Sequence, residues 1–163
     1  MPIETDILDA SDPTQIEQAA ALLRQGELVA FPTETVYGLG ANGTSAEAVA
    51  KIFAAKGRPA DNPLILHVGS IEQALPLWQA SSLQTQRART LAAAHWPGPL
   101  SLVLPAAKFI PTEVTAGLDS VAIRAPAHPI AQALLQQCEF PLAAPSANLS
   151  GRPGPTPASH AQT

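Results

Sequence analysis

Apolar residues recur along the chain at two spacings, and the alternation between them lays out the elements. Ile16, Ala19, Ala20 and Leu23 fall on one face at helical spacing. Asp12 stands ready to cap that helix, Pro13 suits its first turn, and Gly26 supplies a stop. Glu27 to Phe31 follows as a short apolar strand cut off by Pro32. A polar loop then leads to a helix from Ser45 to Lys56, with Val49, Ile52 and Phe53 as its stripe. Thr44 and Glu47 have capping-box spacing at its start, and Gly57 ends it. The continuous apolar run Leu64 to Val68 reads as a buried strand. Ser70 and Gln73 cap a third helix, and Leu83 to His95 forms a fourth. Leu100 to Leu104 and Ser120 to Arg124 are further strands, Pro129 to Gln137 is helical, and Leu142 to Ala144 is a last short strand before Pro145. Strands alternating with helices predict an α/β domain, a sheet flanked by helices.

Composition narrows the class. The chain has 163 residues, 46% of them hydrophobic and 13% charged, which describes one globular domain with a real core. Seventeen prolines, spread over short loops, predict many rigid turns. The net charge is −4 and no run of Lys or Arg occurs, so tight nucleic-acid binding by this chain alone is disfavoured. One cysteine, Cys138, permits no internal disulfide, and four scattered histidines give no metal spacing. The start of the chain lacks the layout of a signal peptide, and no apolar run approaches a membrane span. A cytoplasmic protein without membrane association is expected.

The candidate chemistry lies in four Gly/Pro-rich polar loops, each beside an apolar strand: Pro32 to Gly38, Lys56 to Pro59, Val121 to Pro126 and Pro145 to Gly151. Loops at strand ends are where α/β folds place their ligand sites. Lys56 and Arg58, one residue apart around Gly57 at a helix end, can converge on one anion. They can equally offset a helix dipole. Ser146, Asn148 and Ser150 with Gly151 offer hydroxyls, an amide and free backbone to a phosphate or base, or else form a local Ser or Asx turn. Arg124 ends an apolar strand, so it needs a bound ligand or a carboxylate such as Asp119. Thr33, Thr35 and Tyr37 alternate along what reads as an extended segment and so share a face, or they cap a turn. His67 sits in an apolar run, where a satisfied core histidine is the commoner outcome. Ser101 follows the rigid turn Trp96-Pro97-Gly98-Pro99 and can face a ligand. No phosphate-loop or dinucleotide motif is present, and no nucleophile elbow stands out. From the residues alone the reading is an anion-binding α/β domain.

At these same loops the sequence resembles the YrdC-like family of threonylcarbamoyl-AMP synthases. The resemblance runs from about residue 15 to 153, through FPTETVYGLG (31–40), AVAKIFAAKGRPADNPLILHV (48–68), HWPGPLSLVLP (95–105), VAIRAPAHP (121–129) and PLAAPSANLSG (141–151). It implies a twisted open mixed sheet with a concave, positively lined site. It implies formation of threonylcarbamoyl-AMP and pyrophosphate from L-threonine, bicarbonate and ATP, with Mg²⁺ accompanying the ATP. Separate transfer proteins would then modify tRNA. Carried over position by position, Lys56 and Arg58 would hold the threonine carboxylate and the phosphates as catalytic cations. Thr33, Thr35, Tyr37, Asn62 and His67 would line the threonine and carbamate pocket. Ser101, Arg124, Ser146 and Asn148 would contact ATP. Ser101 stands where the family commonly has Thr, and the strand-rich segment with a Ser-Thr-Val motif that usually follows is not in these 163 residues. The expectation is therefore a single YrdC-like domain over 1–163, incomplete at its C-terminal end. A noncatalytic nucleotide- or RNA-binding module of the same fold is the alternative, and a carbamoyl-transfer domain is a third reading.

Overall fold

The computed structural model describes residues 5–57 and 62–145 of the chain. Six helices and six strands alternate: α1 (Pro13–Arg24), β1 (Val29–Pro32), β2 (Tyr37–Asn42), α2 (Ala46–Lys56), β3 (Ile65–His67), α3 (Ile71–Ala74), α4 (Ser82–His95), β4 (Leu102–Pro105), α5 (Thr112–Thr115), β5 (Ser120–Arg124), α6 (Pro129–Gln137) and β6 (Leu142–Ala143). A 3₁₀ turn, Leu75–Leu77, extends α3. The strands form one mixed sheet in the order β1-β2-β6-β3-β5-β4. Only β3 and β5 run parallel among the paired strands.

Local chemistry accounts for most of the boundaries. Asp12 accepts the Thr14 N–H at the start of α1, with Pro13 in the first turn as expected. Gly57 closes α2 in the left-handed region, at φ 62° and ψ 28°, and returns its N–H to Phe53. The N-cap of α2 is Ser45, not Thr44. Asn42 has engaged Thr44, accepting from both its N–H and its hydroxyl, which leaves Ser45 to receive the Ala48 N–H. At α4 a capping box joins Ser81 and Gln84, one turn ahead of where the apolar pattern begins. Pro32 is tolerated within β1 because β1 is an edge strand and the residue is its last.

Two elements went unread in the sequence. Strand β2 occupies part of the stretch that reads as a polar loop, and α5 is a single turn. The β2 segment carries Gly38 and Gly40, a composition that argues for a loop. Gly40 is required by packing: a Cβ there would come within 2.7 Å of the Phe31 ring.

The sheet divides two apolar clusters. On one face α1 and α6 pack with Phe31 and Leu142 around Ala20, Leu23, Leu134 and Leu135. On the other, α2, α4, α5 and the 3₁₀ turn bury Val49, Ile52, Leu66, Val114, Val121 and Ile123. The α1–α6 layer packs chiefly over β1 and β2 and reaches Leu142 of β6. Among the described residues, Ile65 and Val103 are exposed on the corresponding face of β3 and β4.

Candidate functional site

Where the α1–α6 layer ends, a cavity of about 290 Å³ opens over the sheet. It is lined by Thr33, Thr35, Val36 and Gly38 from the β1–β2 hairpin, by Pro63 to Ile65 and His67 around β3, by Arg124 from β5, and by Ala144 and Pro145 after β6. Register explains the gathering. His67 pairs with both Leu142 and Arg124, so β6, β3 and β5 bring those three side chains to one level of one face. The antiparallel pairing of Leu102 with Ile123 carries the preceding Ser101 to the level of Arg124.

The threonine segment is a hairpin turn and not the extended stretch that its alternation suggested. Pro32 pairs with Tyr37, which leaves Thr33 to Val36 as the loop. Its hydroxyls form a chain of fixed direction. Thr33 Oγ1 donates to the Val36 carbonyl at 2.6 Å and accepts the N–H groups of Thr35 and Val36. Its one proton is therefore used, so at the 3.0 Å contact between the two hydroxyls Thr35 is the donor. Arg124 Nη1 completes the chain by donating to Thr35 Oγ1 at 3.4 Å. Thr33 Oγ1 is thereby saturated, and what Thr35 Oγ1 retains for a ligand is one acceptor site.

Arg124 is buried, and it is satisfied mainly from within the protein. Its Nε donates to the Gly98 carbonyl at 3.1 Å, and its Nη2 pairs with Glu34. The other Glu34 oxygen accepts the Ala127 N–H at 2.6 Å. The carboxylate partner is thus Glu34 and not Asp119. Asp119 precedes β5 while Arg124 ends it, so about 15 Å of strand separates them. Two guanidinium N–H groups remain beyond these three bonds.

His67 is buried with its edge toward the Phe31 ring, centroids 6.1 Å apart. Its Nδ1 lies 3.2 Å from the Ile65 carbonyl, which can only accept, so Nδ1 carries the proton. Burial first, and the Arg124 charge second, hold its pKa down at about 4, against the opposing effect of backbone hydrogen bonds and Glu34. The wall therefore combines one cation, one carboxylate behind it, a neutral imidazole and two hydroxyls.

Of the residues singled out in the sequence, Thr33, Thr35, His67 and Arg124 come together at this cavity. Tyr37 begins β2, Asn62 is an exposed bend before Pro63, and Ser101 is half-buried ahead of β4; none of the three lines the cavity. Lys56 is buried at the end of α2 and does not line it either. Arg58, Ser146 and Asn148 lie outside the described residues. Glu34 received no role from the sequence, although a buried Arg124 demanded a carboxylate and Glu34 stood between two candidate threonines.

Comparison with known proteins agrees with this architecture. The family model described as "Telomere recombination", for Sua5, YciO and YrdC proteins, matches residues 21–163. Threonylcarbamoyl-AMP synthase of Bacillus subtilis is 55% identical over 157 residues, 96% of this chain and 44% of the relative. The synthase of Pyrococcus abyssi is 52% identical over 160 residues, 98% of this chain and 46% of its own length. The crystal structure of P. abyssi Sua5 complexed with L-threonine superposes with a TM-score of 0.88 at 54% identity, covering 92% of this chain and 43% of that one. The chain thus spans a little under half the length of these relatives. The family model covers most of the chain and the fold agrees, and the chain belongs to the Sua5/YciO/YrdC family.

Proposed function

We propose that this chain binds L-threonine and ATP and carries the adenylating step that forms threonylcarbamoyl-AMP. The observation that supports it most is the threonine complex of a protein 54% identical across 92% of this chain. The cavity chemistry is compatible with that substrate. The threonine carboxylate can meet Arg124, which keeps two guanidinium N–H groups at the wall, beside a neutral imidazole. The Thr35 hydroxyl, left with one acceptor site, suits an ammonium, a carbamate N–H or a side-chain hydroxyl.

In this reading the threonine nitrogen combines with bicarbonate-derived carbon dioxide to give a carbamate. A carbamate oxygen then attacks the ATP α-phosphorus, the bond to the bridging oxygen breaks, and pyrophosphate leaves. No covalent enzyme intermediate is needed, so positioning and charge compensation supply the catalysis. Arg124, held at three of its donors, contributes a fixed charge at the cavity wall. Lys56, the last residue of α2, and Arg58, two positions on in the sequence, serve as the cations for carboxylate and phosphates, with Tyr37, Asn62, Ser101, Ser146 and Asn148 completing the two substrate subsites. Mg²⁺ enters with ATP as part of the substrate. The described residues hold no cluster of three or more His, Cys, Asp or Glu to cage it, and no step here runs through it. Transfer to tRNA would fall to separate proteins. No helix among the described residues is long and apolar enough to cross a membrane.

The test is pyrophosphate release from ATP and Mg²⁺, with threonine and bicarbonate added singly and together. Release that needs both is expected. Calorimetric threonine binding without release would instead favour a noncatalytic binding module.

A further inference from the structure

Glu34 stands behind the cavity without lining it, yet it holds what does. One carboxylate oxygen engages the Arg124 guanidinium and the other the Ala127 N–H, which joins the β1–β2 turn to the segment after β5. Residues 34 and 124 are 90 positions apart, so this clamp is a tertiary contact and not turn geometry. The Arg124 side chain is 9% exposed and that of Glu34 24%. A charge pair this sheltered is screened weakly and felt inside the cavity. Through Arg124 the clamp also sets the direction of the hydroxyl chain: Arg124 donates to Thr35, Thr35 to Thr33, and Thr33 to the Val36 carbonyl. Gly98, whose carbonyl seats Nε and whose N–H reaches the Ala125 carbonyl, closes the frame from the β4 side.

We propose that Glu34 is a positioning residue of this site, which aims the Arg124 guanidinium, offsets its charge and pins the Thr33–Val36 turn over the cavity. This rests on the cavity being the substrate site proposed above. Two consequences separate the role from plain structural support. Removing the carboxylate charge while keeping its shape leaves Arg124 uncompensated, so the cavity gains affinity for anions. Keeping the charge but shortening the reach loosens the aim without that gain.

The experiment uses the full chain, with inorganic pyrophosphate as the anion probe in calorimetry. Glu34→Gln is expected to bind pyrophosphate at least about threefold tighter than the parent, with the gain lost when Arg124→Gln is added. Glu34→Asp is expected to keep pyrophosphate affinity within about twofold while turnover in the release assay falls at least about tenfold. An unchanged or weaker pyrophosphate affinity in a folded Glu34→Gln variant overturns the proposal, as does full turnover in Glu34→Asp. Should Glu34→Gln fail to fold, as judged by its thermal transition, Glu34→Asp decides. If the parent itself releases no pyrophosphate, the synthase reading falls while the binding comparison still decides the role of Glu34.

Discussion

At the scale of single residues, His67 makes the most direct prediction. Its native pKa is about 4 against an ordinary 6.5, because burial and Arg124 disfavour the imidazolium. The unfolded chain therefore takes up this proton near pH 6.5 while the native protein does not. Stability is full above that pH, is lost as pH falls toward 4, and changes no further from this group once both states are protonated. The loss should reach about 2 kcal/mol between pH 7 and pH 5. Urea unfolding at the two pH values checks it, and a flat profile would mean the imidazole is not held neutral. Residue-level chemistry was partly legible in the sequence. Thr33, Thr35, His67 and Arg124 were marked by their loops and strand ends, where polar groups beside apolar strands need a purpose. The role of Glu34 was not, since nothing local to residue 34 announces an arginine 90 positions away.

At the scale of elements, the β1–β2 hairpin governs the site, and it rests on a glycine. Phe31 is 2% exposed and packs over Gly40, where an added methyl would lie 2.7 Å from Cε1 and 3.3 Å from Cδ1. The ring cannot retreat freely, because α1, α6 and His67 surround it. Gly40→Ala should therefore destabilise the fold by about 1–3 kcal/mol and shift the His67 ring resonances. A variant as stable as the parent, with unshifted His67 signals, would show that the hairpin accommodates the methyl elsewhere. The same glycines explain why β2 escaped the sequence reading. Strand propensity counts β-branched and aromatic residues, and Tyr37–Asn42 was selected for close approach instead. Helices α1, α2 and α6 were legible from the sequence; at α1 apolar period, cap and stop agreed with one another, while the α2 cap lies one residue beyond Thr44. Single-turn α5 was not, being held by its burial against α2 and β5 and not by any periodicity.

At the scale of the whole molecule, the uneven layering creates the cavity and the charge distribution limits its partners. Among the described residues, helices cover one face of the sheet, while on the other α1 and α6 pack chiefly over the β1–β2 side, and the cavity opens beside them toward β3 and β5. The fold class was legible from alternation, but this half-covered face was not, because it follows from which strands the first and last helices reach. Thirteen acidic residues stand against nine Lys and Arg. Among the described residues, three of those cations already pair with carboxylates, Lys51 with Glu27, Arg89 with Glu72 and Arg124 with Glu34. Affinity for a nucleic-acid backbone comes from cations that displace condensed counterions, and it falls with salt in proportion to their number. A chain with this balance has few to offer. It should bind unmodified tRNA no more tightly than the nonspecific range of about 10⁻⁴–10⁻⁶ M near physiological salt, with a shallow salt slope. Filter binding across a salt series measures both quantities. Tight binding with a steep slope would mean that a basic surface is assembled despite the net charge, and would move the reading from a small-molecule synthase toward an RNA-binding module. Weak binding alongside measurable threonine affinity would place recognition of the tRNA with the proteins that consume the activated product.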